Sequence, residues 1–438
     1  MSKTLIFSAL AIFMAAHFSA CLSFDNRFSR IAPGTWRGVL ELEKITYPAK
    51  DERYRKTVLL VREQFQEGEL PFNFNVVYKT DTTFYVEIIN GAERIRCDSI
   101  RWGWDKTTAR DTMNIYFPEY QSYIHADVRG DLMAGEWVVT TKDNYRIPFR
   151  AKAAQDFRFT NLRQKPAADL TGEWATLFGT DQPEQDKAIG EFKQEGNRLT
   201  GTFRTETGDY RFLEGTVQED HFWLSCFDGS HAFLFSGKIV GDSLLGEFRS
   251  GKHYRTLWAA WRDPNFRLGN PDSLATATGG SVQFSFKTPD GRDLTYPSPA
   301  FDGKIKIFTV SGTWCPNCRD EQLFLAEYLK NNPDMAAQIA VVSLSFERFK
   351  DEAKANAQLL NYKKTLGLPF DLVLAGKADK KEAERVLPAL SQVMAFPTMI
   401  ILDKQGKIRR VHTGFDGPAT SKYGEFKKHF EELMAELK

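Results

Sequence analysis

"SGTWCPNCRDEQLF" (residues 311–324) sets two cysteines three apart behind a tryptophan, where an apolar run, Ile305–Val310, gives way to a helical pattern. Such a run has the length and composition of a buried strand. Pro316 suits the first turn of a helix, where a missing N–H costs nothing. Cysteines at this spacing can hold a metal, staple a loop, or exchange electrons with other thiols. Zinc needs two further ligands, ordinarily a second Cys or His pair at short spacing. No such pair exists, and the seven histidines (17, 125, 221, 231, 253, 412, 429) are scattered. A bond across three residues also closes too small a loop to gain much loop entropy.

Redox exchange fits the local physics better. A helix beginning near Cys315 aims unpaired N–H groups and the positive end of its dipole at that sulfur, which favours the thiolate. Cys318, one turn inward, is shielded. Cys315 can then attack a partner disulfide to give a mixed disulfide, which Cys318 resolves, so that the pair ends oxidised and the partner reduced. Trp314 can cover the pair. Outward from the motif, strand-like runs (KIKIFTV, QIAVVSLSF, FDLVLAG) alternate with helical patterns over Cys318–Leu329, Asp351–Leu366 and Lys380–Val393. TMIILDKQGKIRRVHTG reads as a hairpin turning at Asp403–Gly406, and Ser421–Leu437 as a closing helix. This is the grammar of a mixed α/β sheet.

Trp-Cys-Pro-Asn-Cys after a buried strand, with the lead-in FSFKTPDGRDLTYPSPAFDGKIKIFTVSGTWC (284–315), resembles the thioredoxin fold and, more narrowly, the TlpA/ResA-like membrane-tethered thiol-disulfide oxidoreductases. The resemblance covers about residues 280–438, roughly a third of the chain. It implies a cis-proline opposite the cysteines, which falls on Pro397 in AFPTMIILDKQGK, presenting backbone to a substrate chain and keeping metal from the dithiol. It further implies a buried glutamate three residues after the second cysteine, here Glu321, placed on the helix face of Cys318 to take or hold its proton. Where the family commonly has proline two residues later, this chain has Leu323. Arg319 and Asp320 read as solvent-facing.

From about residue 31 to 263, short segments alternate apolar and polar residues with Gly, Asn and Asp at the joins, which marks antiparallel β structure. GDLMAGEW (130–137) and GDSLLGEF (241–248) share a pattern, as do PGTWRGVLEL (33–42) and LTGEWATLF (170–178). They suggest two related β units, sandwich or barrel, over 31–153 and 168–263, joined by AAQDFRFTNLRQKPAAD. Eight of the nine tryptophans lie in this region, and core packing accounts for them better than an exposed ligand platform. The stretch ending at residue 280, with Pro, Gly and Ser and no periodicity, is a linker over 264–280, ahead of an α/β domain at 281–438.

The N-terminus carries Lys3 before an apolar run, Leu5–Ala16, closing in small residues. That is the grammar of an export signal over residues 1–20, too short for a membrane span. FSAC (18–21) resembles a bacterial lipobox, with Phe18 in place of the usual Leu. It implies lipidation at Cys21, a tether over 21–30, and a lipid-anchored protein facing the periplasm of the cell envelope. Five cysteines in a large exported chain do not make a disulfide framework, and Cys97 and Cys226, inside strand-like runs, read as core thiols. A formal charge of +1 from 58 basic and 57 acidic residues leaves no basic field for nucleic acid.

These readings converge on a membrane-tethered extracytoplasmic thiol-disulfide oxidoreductase. Cys315 is the nucleophile, Cys318 the resolving thiol and Glu321 the proton acceptor, while Pro397 and Trp314 shape the partner groove. Protein thiols and disulfides are its partners, and reduction, expected from the resemblance, calls for a membrane thiol-electron carrier as donor. The dithiol needs no cofactor or metal. A peroxiredoxin-type thiol peroxidase ranks below it, because Phe308 and Ser311 stand where that class has a proline seven residues before its cysteine. A third reading makes the β units a ligand- or partner-binding module beside an accessory redox domain.

Overall fold

The computed structural model describes residues 31–42, 68–252 and 254–438. Cys21 and the export signal lie outside them. Among the described residues, no helix is long and apolar enough to cross a membrane. The protein is multidomain and mostly β, with an α/β region at its C-terminal end.

The first nine strands form one antiparallel sheet in which Gly34–Glu41 lies between Glu69–Tyr78 and Arg146–Ala153, so the chain's first and last strands of the sheet are neighbours. The sheet stays open between its edge strands, Glu93–Cys97 and Ile100–Asp105, and is a half-barrel. Its core is completed from outside. Phe227, from the following sheet, sits 4.6 Å from the Phe72 ring, 5.6 Å from Phe117 and 5.2 Å from Trp137, centroid to centroid.

The second sheet closes. Gly172–Phe178 pairs with Tyr254–Trp261 on one side and Asp186–Glu195 on the other, and Asp186–Glu195 pairs in turn with Arg198–Thr205, completing a barrel. Alternate residues point inward, and Phe178, Phe203, Phe235 and Phe248 fill the interior, with Phe203–Phe235 at 4.7 Å and Phe235–Phe248 at 4.4 Å.

Several local features recur in the two sheets. Trp36 Nε1 donates to the Ala32 carbonyl and Trp174 Nε1 to the Leu170 carbonyl, both at 2.9 Å and both four residues back. Gly130 and Gly241 turn matching hairpins at φ +58°. Five residues on, Gly135 and Gly246 sit where a Cβ would strike the backbone of the neighbouring strand. The connection between the sheets is no loose strap. Buried Arg158 donates to Ser225 Oγ at 2.9 Å, to the Ile89 carbonyl at 2.9 Å and to Asn90 Oδ1 at 3.0 Å, while its own carbonyl accepts from Arg37 Nε at 2.6 Å. Cys97 and Cys226 are both buried and unpaired.

In the C-terminal region Ile305–Ser311 is the central strand of a five-stranded sheet. It runs parallel to Ile339–Glu347, which is parallel to Asp371–Lys377, and antiparallel to Thr398–Leu402, which leads into Ile408–Thr413. One face packs on helices Pro316–Asn331, Glu352–Leu366 and Tyr423–Leu437 through Phe324, Tyr362 and Phe430. The other packs on helix Lys380–Val386 and on the Phe284–Lys287/Asp293–Tyr296 hairpin. The helix expected over Lys380–Val393 ends at Val386 because Pro388 pushes the residue before it, Leu387, out of helical backbone (φ −123°, ψ 63°).

Candidate active site

Cys315 is the N-cap of helix Pro316–Asn331, in extended backbone, with Pro316 opening the first turn. Its sulfur accepts the Cys318 N–H at 3.2 Å, one of the N–H groups that the start of a helix leaves unpaired. Cys315 and Cys318 are disulfide-bonded, with Cα atoms 5.2 Å apart. Cys318 is fully buried and Cys315 is 6% exposed. Cys315 Sγ lies 3.5 Å from the Phe396 carbonyl oxygen, and the Phe396–Pro397 bond is cis. Thus the final hairpin brings Pro397 opposite a sulfur 82 positions earlier.

Trp314 is half-buried and fixed on several sides. Its Nε1 donates to the Phe346 carbonyl at 2.9 Å, its ring meets Phe396 at 5.5 Å, and Arg348 stacks over it at 4.0 Å. The segment before it is held by Glu347, a buried acid that sequence reasoning missed. Its carboxylate accepts from Thr313 N and Thr313 Oγ1, each at 2.8 Å, and from Ser345 Oγ at 2.9 Å. Burial pushes its pKa up, against the pull of those bonds. A charged residue closing an otherwise apolar strand, QIAVVSLSFE, was the available signal.

Glu321, one turn beyond Cys318 on the same helix face, is fully buried, and neither of its carboxyl oxygens has a hydrogen-bond partner among the described residues. Burial alone drives its pKa well above the usual carboxylate range. Asp320 and Arg319, expected to face solvent, do not. Asp320 is 9% exposed and bonds to Arg211 of the barrel, while Arg319 lies 3.7 Å from Asp320 and is half-buried. They are covered because the β region packs on this side of the helix.

Arg211 also bonds Glu93 at 2.7 Å and lies 3.8 Å from Asp228. Burial opposes its charge, but Asp320, Glu93, Asp209 and Asp228 together hold its pKa well above the ordinary value. Asp228 is likewise desolvated, yet His231 and Arg211 hold it down to about 2.

A dithiol bonded across the start of a helix, beside a cis-proline and at the end of the central strand of a mixed sheet, defines the thioredoxin-fold class of thiol-disulfide oxidoreductases. Known proteins agree. The chain is 30% identical over 131 residues to "Thioredoxin-like protein YneN" of Bacillus subtilis, a match spanning 30% of this chain and 68% of that protein. It is 33% identical over 152 residues to "Thiol:disulfide interchange protein DsbE" of Yersinia pestis, spanning 33% of this chain and 69% of the relative. With "Thiol-disulfide oxidoreductase ResA" of Geobacillus thermodenitrificans it shares 25% identity over 163 residues, 37% of this chain and 81% of that one. No family model matches. The chain belongs to the TlpA/ResA-like family of thioredoxin-fold thiol-disulfide oxidoreductases, and it is an oxidoreductase.

Proposed function

We propose that the protein is a membrane-tethered, extracytoplasmic reductase of protein disulfides, working through Cys315 and Cys318. The observation that carries this reading is the position of Cys315 at the helix N-cap, its sulfur accepting the Cys318 N–H at 3.2 Å. A thiolate there is favoured by the same N–H and by the helix dipole. In the reduced enzyme the Cys315 thiolate attacks one sulfur of a partner disulfide, and the other leaves as a thiolate. Cys318 loses its proton to the ionised form of Glu321, which becomes the neutral acid, and attacks Cys315 Sγ, which forms the Cys315–Cys318 bond and releases the partner's second sulfur as a thiolate. Two electrons have passed to the partner, and a thiol-electron carrier in the membrane returns two to the enzyme. Pro397 and Trp314 border the groove in which the partner chain lies.

The names of the relatives, an interchange protein and an oxidoreductase among them, support protein disulfides as the substrate class. The anchor is lipid on Cys21, after removal of residues 1–20, and places the enzyme at the cell envelope. The recurring glycines and tryptophans support two related β units, 31–153 and 168–263, with 264–280 leading to a redox domain at 281–438. Replacing Cys318 with Ala tests the mechanism: the mixed disulfide on Cys315 cannot resolve, so the partner stays attached and is identified by mass spectrometry. Recovery of the variant from its own compartment with nothing bound to Cys315 would refute the protein-substrate reading.

A further inference from the structure

The face by which a partner would reach Cys315 is covered by the β region. Ser230 Oγ donates to the Trp314 carbonyl at 3.1 Å, and Asn317 Nδ2 donates to the Asp209 carbonyl at 3.2 Å, so a barrel loop and a short barrel strand grip the Cys-Pro-Asn-Cys motif on both sides. Pro316, between these contacts, is buried. Alongside runs the ionic clasp of Arg211 with Asp320 and Glu93.

The surfaces are fitted to each other at backbone distance. A Cβ on Gly208 would come 2.5 Å from Asn317 Nδ2, one on Gly414 would come 2.5 Å from the Thr207 carbonyl carbon, and one on Gly417 would come 2.8 Å from an Asp209 carboxylate oxygen. Two of these glycines belong to the α/β domain and one to the barrel, so both sides are shaped for the contact. The single covalent crossing between the two bodies is residues 263–270, without helix or strand. From Pro271 onward the chain is pinned to the α/β domain, where the Thr413 N–H donates to the Pro271 carbonyl at 3.0 Å and Thr278 N to the Ala389 carbonyl at 2.9 Å.

We propose that the β region is a cap on the dithiol, docked through Arg211 and lifted about residues 263–270, so that slender reagents reach Cys315 in the docked state while a folded protein disulfide waits for release. The proposal rests on the reading of Cys315 as the exchanging thiol. Its test is accessibility, which does not depend on turnover. The full chain carrying Cys318→Ala is reduced, and alkylation of Cys315 by iodoacetamide and by a bulky polyethylene glycol maleimide is followed by mass spectrometry, each rate normalised to a free cysteine peptide.

The cap predicts that the bulky reagent is slower by about tenfold or more, and that Arg211→Gln or Gly417→Leu speeds it by about tenfold while changing the small reagent by less than about twofold. Gly417→Leu wedges the interface from the α/β side and carries the test if Arg211→Gln fails to fold. Equal access for both reagents in the docked protein, or no response to either substitution, overturns the cap. A chain that alkylates in the expected pattern yet never forms a mixed disulfide instead refutes the exchange reading and leaves the cap standing.

Discussion

Asp320 and Glu321 follow one another in the active-site helix and are both buried, but they meet different surroundings. Asp320 faces the β region, where Arg211 neutralises it as part of a group with Glu93 and Asp228. Glu321, beneath the cysteines, has no cation and no hydrogen bond among the described residues. A buried charge survives when it is paired, and a buried carboxyl that is not paired gives up its proton only above the usual carboxylate range. The first arrangement therefore holds two bodies together, whereas the second keeps a proton donor and acceptor beside Cys318 at the expense of stability. Adjacent residues of one helix thus differ in pairing, and the proposed mechanism uses the unpaired one.

The largest effect that can break this contrast is removal of the cation. Arg211→Met leaves Asp320, Glu93 and Asp228 facing one another with a hydrophobe in their midst, and losing one partner of a buried ion pair costs about 3–5 kcal/mol. The loss falls on docking of the β region, because opening the interface hydrates the carboxylates. Hydrogen exchange at residues 207–211 and 228–231 should rise strongly, with little change in strand Ile305–Ser311. Unaltered protection of those loops would mean that the cluster holds nothing together.

The next effect has the opposite sign. The pKa of Glu321 is raised in the folded state, so below the ordinary glutamate range folded and unfolded chains are both protonated and the residue costs little as a charge. As pH rises through that range toward the folded value, the unfolded chain gives up its proton first, and stability falls. Glu321→Gln removes the titration. The variant should match the wild type near pH 4 and exceed it by about 1–3 kcal/mol at pH 8, the scale of an unsatisfied buried polar group. Urea unfolding across this pH range measures the difference. The same variant should resolve mixed disulfides more slowly, by about 10–100-fold, if Glu321 takes the Cys318 proton. Equal pH slopes for both proteins would show that Glu321 is not held protonated.

How far this arrangement could be read in advance follows from the range of the interactions. The strand before Cys315, the cap and the proline of the first turn are local, and hydrophobic periodicity with helix-start chemistry exposed them. The Asp403–Gly406 turn was equally plain, and the Gly406 N–H donates to the Asp403 carbonyl at 3.0 Å. The end of the helix at Val386 was missed although Pro388 signalled it. Arg211 and Asp320 are 109 residues apart, and nothing in GDYRF announces a partner, so Asp320 read as an exposed helix carboxylate. Phe227 is similar: the run FWLSCF is apolar on both strand faces, and nothing in it shows that its last residue completes the core of the neighbouring half-barrel. Inward and outward faces are written in periodicity, whereas the contacts between separately folded sheets are not.

Glu347 gives the smallest and most discriminating test, because it lies between the two extremes. It is buried as Glu321 is and, among the described residues, forms no salt bridge, although Arg348 acts on it from a distance, yet it accepts three hydrogen bonds. If pairing by any donor is what separates a structural acid from a chemical one, Glu347 belongs with Asp320. Glu347→Gln must then turn its new amide toward either the Thr313 N–H or a hydroxyl, sacrificing one acceptor, at a cost of about 1–2 kcal/mol. Exchange at the Thr313 amide should quicken, and attack by Cys315 should change only through the looser seat of Trp314, by less than about threefold, a factor worth well under 1 kcal/mol. Because burial raises the Glu347 pKa as well, Glu347→Gln also gains on the wild type as pH rises, so the discriminating reading is taken below the carboxylate range, where a variant as stable as the wild type would place Glu347 among the unpaired acids and undo the distinction drawn from the helix.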